Sequence, residues 1–250
     1  MAWDRDLGGE PPPAWRDEAP DLRAPIDPDA PVSGHRRAPE GPVGPSHAPE
    51  QDWDAARVVL VPVLRPMGTR GTRLDTLDAE RLASEGMKSH ASPILDPGPC
   101  GLMVGYALRV GSFDVHVNAD HLLAWGTTPD ELRSVAAANL TQWSVSAPWT
   151  EEVSGRRRLI SSATGDGDDA ARILLPAVRA YLTREFRPDA RILLGIPERD
   201  LLVAGALSAD DPEFAALFAE FVREASTDAD HPLDGRVLEL VAGQCQVFEW

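Results

Sequence analysis

The stretch Arg191–Leu207, R-I-L-L-G-I-P-E-R-D-L-L-V-A-G-A-L, constrains the fold of this chain more than any other. Two apolar runs of strand length, Ile192–Ile196 and Leu201–Leu207, flank the polar turn Pro197-Glu198-Arg199-Asp200, which is the pattern of a short β-hairpin. Side chains alternate between the two faces of a strand. Leu201, Val203 and Leu207 therefore lie on one side and Leu202, Ala204 and Ala206 on the other. Both sides are apolar, so these strands belong in the middle of a sheet covered on both faces.

The remaining pattern supplies the cover. Thr128-Pro129-Asp130-Glu131 reads as a capping box with proline at the first helical position, followed by the stripe Leu132, Val135, Ala136, Leu140 and Trp143. Asp168 or Asp169 is expected to cap a helix with the stripe Ile173, Leu174, Ala177, Val178, Tyr181 and Leu182, in which Pro176 marks either a kink or the first turn. A third helix starts at Asp211-Pro212-Glu213, with Phe214, Leu217, Phe218, Phe221 and Val222 forming a core stripe. Strands are expected at Val58–Leu64, Leu102–Val110, Trp149–Val153, Arg157–Ser162, Val237–Val241 and Gln244–Phe248. Pro62 assigns the first of them to a sheet edge or a bulge, because proline cannot donate a ladder hydrogen bond. Leu74–Met87 reads as a weak helix, Pro93–Gly101 as a loop, and Trp250 as a packed C-terminal residue. Strand pairs interleaved with single helices imply an α+β fold with a mostly antiparallel or mixed sheet and helices packed on it.

Residues 1–52 are a different material. They hold 11 of the 23 prolines and few aliphatics, so they cannot bury enough apolar surface to offset the entropy of ordering. A disordered acidic tail is expected there, in which Trp3, Trp15 with Leu22, and Ile26 are either incidental to a solvated tail, the more ordinary reading, or short docking anchors able to order on a partner. The globular part is expected over 53–250, and any break into subdomains near 145–150.

A formal net charge of -16 disfavours DNA, RNA and anionic membrane surfaces as partners. The dense basic run Arg156-Arg157-Arg158 is an exception in composition, but Glu151 and Glu152 across the hairpin are expected to neutralise it. No apolar run approaches the roughly 18 residues of a membrane span, and the N-terminus has no signal pattern, so a cytoplasmic location is expected. Cys100 and Cys245 are too far apart in sequence, and without C-x-x-C partners, to read as a disulfide scaffold or a zinc site. Gly165-Asp166-Gly167-Asp168-Asp169 fails the spacing of a calcium loop. No metal and no cofactor is expected.

The candidate functional residues are few. Phe113, Val115 and Val117 alternate with Asp114, His116 and Asn118, which puts the first set in the core and the second outside it. Asp114, His116 and His121, with Asp120, have a spacing that would suit a metal or acid/base site; the more ordinary reading is a wet sheet face. Asn139 falls on an apolar stripe, where an amide without a hydrogen bond costs about 1 to 3 kcal/mol, so a backbone partner is expected and a ligand contact is the alternative. Glu198, Arg199 and Asp200 could recognise a partner through the arginine fork, or form an internal ion pair that shapes the turn.

Four motifs in order carry a resemblance: Thr128–Leu140, Asp168–Pro176, Gly195–Leu202, and the H-P-L-D of His231–Asp234. Over about residues 55–250 the chain resembles the YtpQ-like family of bacterial proteins of unknown function. The resemblance implies an intracellular bacterial α+β protein and carries over no catalytic residue.

These readings point to a cytoplasmic, non-catalytic binding or adaptor protein, with a protein partner docking through residues 1–52 or the 197–200 turn. The alternative is an enzyme, a hydrolase among the candidate classes, using a His/Asp or a Glu/Arg/Asp site. An enzyme should show a pocket with convergent titratable groups, and an adaptor an exposed apolar patch. Oligomeric state is not readable from these patterns.

Overall fold

The computed structural model describes residues 48–77, 84, 91–111, 113–186, 188 and 190–250. Two sheets carry the fold. The first holds β1 (Leu60–Arg65), β2 (Thr72–Arg73), β3 (Ile94–Pro97), β4 (Met103–Val110) and β5 (Phe113–His116), in the order β1-β4-β3-β2 with β5 also paired to β4. The second is antiparallel throughout and holds β6 (Thr150–Ser154), β7 (Arg157–Ser162), β8 (Arg191–Glu198), β9 (Leu201–Leu207), β10 (Pro232–Val241) and β11 (Gln244–Val247). Its order is β11-β10-β8-β9-β7-β6, which places the Arg191–Leu207 hairpin at the centre.

The α-helices with described bounds are α1 (Trp53–Val59), α2 (Ala119–Trp125), α3 (Pro129–Ser146), α4 (Pro176–Glu185) and α5 (Glu213–Asp228). The hairpins β4–β5, β6–β7, β8–β9 and β10–β11 alternate with helices, and among the described strands only β2–β3 is a parallel pair. This is the α+β architecture that strand pairs interleaved with helices call for. No helix among the described residues is long and apolar enough to cross a membrane.

The two faces of the central hairpin are covered as its pattern requires. Leu202 and Ala204 enter a core with Ile192, Leu194 and Ile196, to which the first sheet adds Leu60, Tyr106 and Leu108, and α3 adds Leu132, Ala136 and Leu140. Leu193 and Val203 face the other way, against Phe214, Phe218 and Val222 of α5. Gly205 permits that close packing, since a Cβ there would stand 2.8 Å from the Phe214 ring. The chain passes from the first sheet to the second at 147–149, yet both sheets contribute to one core.

Local signals account for several helix starts. Thr128 accepts from the Glu131 amide at 3.2 Å, and Pro176 is the first residue of α4 rather than a kink within it. The capping at Glu131 is one-sided, because its carboxylate takes Trp53 Nε1 and the Thr127 hydroxyl instead. Asp169 stands at the N-cap position of a 3-10 turn rather than of α4, and neither it nor Asp168 makes a side-chain capping bond. A 3-10 turn, Ala170–Leu174, intervenes before α4, and both carboxylates turn into the protein.

Other expectations need correction. Val58 and Val59 end a helix capped by Asp52, and the strand starts only at Leu60, because a short apolar run suits either element. Pro62 does lie on an edge strand, β1. Within Pro93–Gly101, expected to be loop, Ile94–Pro97 pairs with β4 as a strand. Of the expected 74–87 helix, Leu74–Thr76 is a 3-10 turn; apart from Leu77 and Ser84, the rest lies outside the described residues. So does the expected tail up to residue 47. Residues 48–52 are folded, with the Ala48 carbonyl accepting from Gln51 and Asp52 amides. Trp250 touches the Phe248 ring but is 79% exposed, so the terminus is not packed as expected. Leu217 and Phe221 of the α5 stripe are likewise exposed, because the sheet covers only the Phe214, Phe218 and Val222 side of the helix.

The alternation at β5 also runs differently. Val117 is buried, but Phe113 stands beyond the end of the core and is 74% exposed, opposite Val110. Asp114, expected outside, is half-buried among arginines.

Candidate functional site

The most concentrated polar cluster sits where the first sheet meets the central hairpin of the second. Arg109 and Asp114 are cross-strand partners in the β4–β5 hairpin, with Arg109 Nε 3.8 Å from Asp114 Oδ1. The Arg109 guanidinium also forks onto the buried Asp168 carboxylate, with both contacts at 2.6 Å. From the turn between β8 and β9, Arg199 donates through Nη2 to Asp114 Oδ2 and through Nε to the Gly167 carbonyl at 2.9 Å. Its backbone is tied as well, since the Arg199 carbonyl accepts from Ala170 and its amide donates to the His231 carbonyl. Arg65, at the end of β1, completes the group with Nη2 2.9 Å from His116 Nδ1.

The Gly165–Asp169 loop is shaped around Arg199. Gly167 has a φ of +80°, and a Cβ there would stand 2.8 Å from Arg199 Nε, so a side chain is excluded by conformation and by space.

Charge and burial set the titration of the cluster. Burial pushes the Asp168 carboxyl up to about 6, against the pull of Arg109 and Arg199. His116 is pushed below the usual imidazole range by burial and then by the Arg65 charge. Arg65 is lowered by burial and then by Arg199. Nearby, burial raises the Glu198 carboxyl, with help from Asp200 and Asp230.

The candidate residues fall into separate places. Asp114, His116 and Arg199 come together in this cluster. His121 does not join them: its Nδ1 accepts from the Asn118 amide at 3.1 Å in a capping box at the start of α2, and its ring stacks on Trp125. Asn139 donates to the carbonyls of Arg57 and Leu60 at 2.9 and 2.7 Å, the backbone partners its place on the stripe calls for. Arg199 pairs with Asp114 rather than with Glu198 or Asp200, so the internal ion pair at the turn reaches across to the first sheet. Asp200 keeps Oδ1 buried without a hydrogen-bond partner. Among the described residues, no group of three or more His, Cys, Asp or Glu side chains could hold a metal ion.

Three arginines matter that sequence reasoning passed over, Arg65, Arg109 and Arg172. Arg109 was visible only as part of a strand. Arg172 is 1% exposed and directs its guanidinium at the C-terminal end of α3, to Ser144 O and Oγ at 3.0 Å and to the carbonyls of Ala147 and Pro148. It also donates to Ser162 Oγ at 2.7 Å, and Ser162 in turn donates to Asp169. The Trp149 ring lies 3.8 Å from its guanidinium carbon. A charged residue inside the apolar D-D-A-A-R-I-L-L-P segment was the available signal.

The basic run is neutralised by Glu151 as expected but not by Glu152, and by carboxylates outside the hairpin. Arg158 meets Glu151 at 2.5 Å and Glu185 at 3.0 Å, Arg157 forks onto Asp211 at 2.6 and 2.9 Å, and Arg156 pairs with Asp210. A cavity of about 230 Å³ is lined in part by Pro97, Pro99, Leu174, Arg179 and Cys245. Burial pushes the Cys245 thiol up to about 11, which keeps it protonated and unreactive near neutral pH. Arg179 is engaged there with the carbonyls of Gly243, Ile173 and Leu174.

Comparison of the chain with protein-family models, with curated proteins and with solved structures gives no match.

Proposed function

We propose that the chain is a non-catalytic binding or adaptor protein of the bacterial cytoplasm, grouped with YtpQ-like proteins on the order of its four motifs. The observation that carries this reading is on α5. Leu217 and Phe221, one helical turn apart, are 48% and 45% exposed, whereas Phe214, Phe218 and Val222 on the same helix are buried. Apolar side chains side by side at the surface form a strip suited to a protein partner. Of the charged turn candidates, Arg199 is instead engaged inside the molecule, its fork held by Asp114 and Gly167. These observations favour a partner face on α5 over the 197–200 turn, with residues 1–52 as a second docking element.

Affinity capture from native lysate tests the reading, using the full chain, a chain lacking residues 1–47, and a Leu217→Asp/Phe221→Asp variant. The full chain should retain a stoichiometric partner that the α5 variant loses while keeping its circular dichroism spectrum. An identical capture profile for the full chain and the α5 variant would contradict the reading.

A further inference from the structure

Arg65 differs from the other arginines of the polar cluster. Arg109 and Arg199 each face a carboxylate, but Arg65 has none within ion-pair distance among the described residues. Its one side-chain hydrogen-bond partner there is the His116 ring. In a chain with 40 acidic and 24 basic residues, a half-buried arginine without a carboxylate is unexpected, because its desolvation is not offset by an opposite charge.

The strand geometry says what the arrangement could hold. Asp114 and His116 are two apart on β5, so their side chains share one face at a spacing of about 7 Å. Arg199 is anchored to the first and Arg65 to the second, and the two charges are close enough that Arg199 lowers the Arg65 pKa. The Arg65 stem reaches this position along the sheet, lying over Gly105, where an added Cβ would be 3.7 Å from Arg65 Cγ. Arg65 Nε and Nη1 and Arg199 Nη1 make no hydrogen bond among the described residues. Three arginines against Asp114 and Asp168 leave one positive charge in excess, and burial and Arg199 both weaken the Arg65 cation. The His116 residue is partly open to solvent.

We propose that Arg65, Arg199 and His116 form a binding site for the phosphoryl group of a small phosphorylated molecule. A phosphate dianion has enough acceptor oxygens to take the open Nε and Nη1 of Arg65 together with the remaining Nη1 of Arg199, whereas a carboxylate is filled by one fork. The site uses residues of β1, β5 and the β8–β9 turn and none of α5, so it does not depend on a protein partner there.

Titration calorimetry of the full chain with inorganic phosphate, at fixed pH and ionic strength, tests the proposal. Saturable binding is expected, weakened about tenfold or more by Arg65→Gln, in line with loss of charge-assisted hydrogen bonds. Arg156→Gln, at a surface pair outside the cluster, should bind as the parent does. Acetate at the same ionic strength should not compete. If Arg65→Gln fails to fold, Arg65→Lys, which keeps the charge without the fork, should still weaken binding several-fold. Absence of saturable binding to the full chain, binding unchanged by both Arg65 variants, or equal competition by acetate would each overturn the proposal.

Discussion

Arg199, in the turn between β8 and β9, holds Asp114 on β5, a residue 85 positions earlier in the chain and in the other sheet. The same side chain binds the Gly167 carbonyl at 2.9 Å, so one arginine joins two sheets and the loop before α4. The charge at the turn is therefore part of the architecture. Its energetic weight comes from a contact that is partly shielded, with Arg199 and Asp114 only 24% and 19% exposed.

Gly167→Ala should lower stability by about 1 to 3 kcal/mol, combining a left-handed φ with displacement of Arg199. In an Arg199→Ala background the displacement is absent, so the cost should fall to about 1 kcal/mol, the conformational part alone. Urea unfolding of the four proteins measures both values.

Arg172→Met should cost about 3 to 5 kcal/mol, because it strips partners from the Ser144 and Ala147 carbonyls and leaves the buried Asp169 without its nearby cation. Arg172→Lys should recover little, since an ammonium cannot reproduce a planar fork that serves Ser144, Ala147, Pro148 and Ser162 together. Thermal and urea unfolding of the two variants check the ranking.

Asp168 should give the fold an uncommon pH response. Its carboxyl titrates at about 6 in the folded chain, above the roughly 3.9 of an unfolded one. The folded state takes up this proton first, so the group adds stability as pH falls from about 6 to about 4. Asp96, Asp211 and Glu239, all lowered by arginine hydrogen bonds, act oppositely and lose their contribution only at lower pH. Asp168→Asn should remove about 1 to 3 kcal/mol of the change between pH 7 and 4.5. Equal pH dependence in the two proteins would count against the assignment.

The two sides of α5 should respond differently to mutation. Phe218→Ala, deep against β8 and β9, should cost about 3 to 5 kcal/mol. Leu217→Asp and Phe221→Asp should each cost less than about 1 kcal/mol, as expected of surface positions. Urea midpoints give the comparison without reference to any partner.

What could be read from the sequence was local. The two apolar faces of Leu201–Leu207, the Thr128 cap, Pro176 at a helix start and the backbone partners of Asn139 all follow from residues close in the chain or from a single periodicity. The polar cluster depends on contacts across the fold: Arg199 with Asp114, Arg109 with Asp168, and Arg65 with His116 are separated by 85, 59 and 51 positions. Periodicity separated Phe113 from Asp114 but did not show where the core ends, which is why their exposure is reversed. The helix at Val58 and Val59 reflects the ambiguity of a short apolar run, resolved here by the Asp52 cap.

A double-mutant cycle on Arg199→Ala and Asp114→Ala most directly tests whether the charged turn serves the fold rather than a partner. If the pair joins the sheets, the coupling should be about 1 to 3 kcal/mol in urea unfolding, and Arg199→Ala should leave the captured partners unchanged. A coupling indistinguishable from zero, together with loss of a captured partner from folded Arg199→Ala, would contradict it.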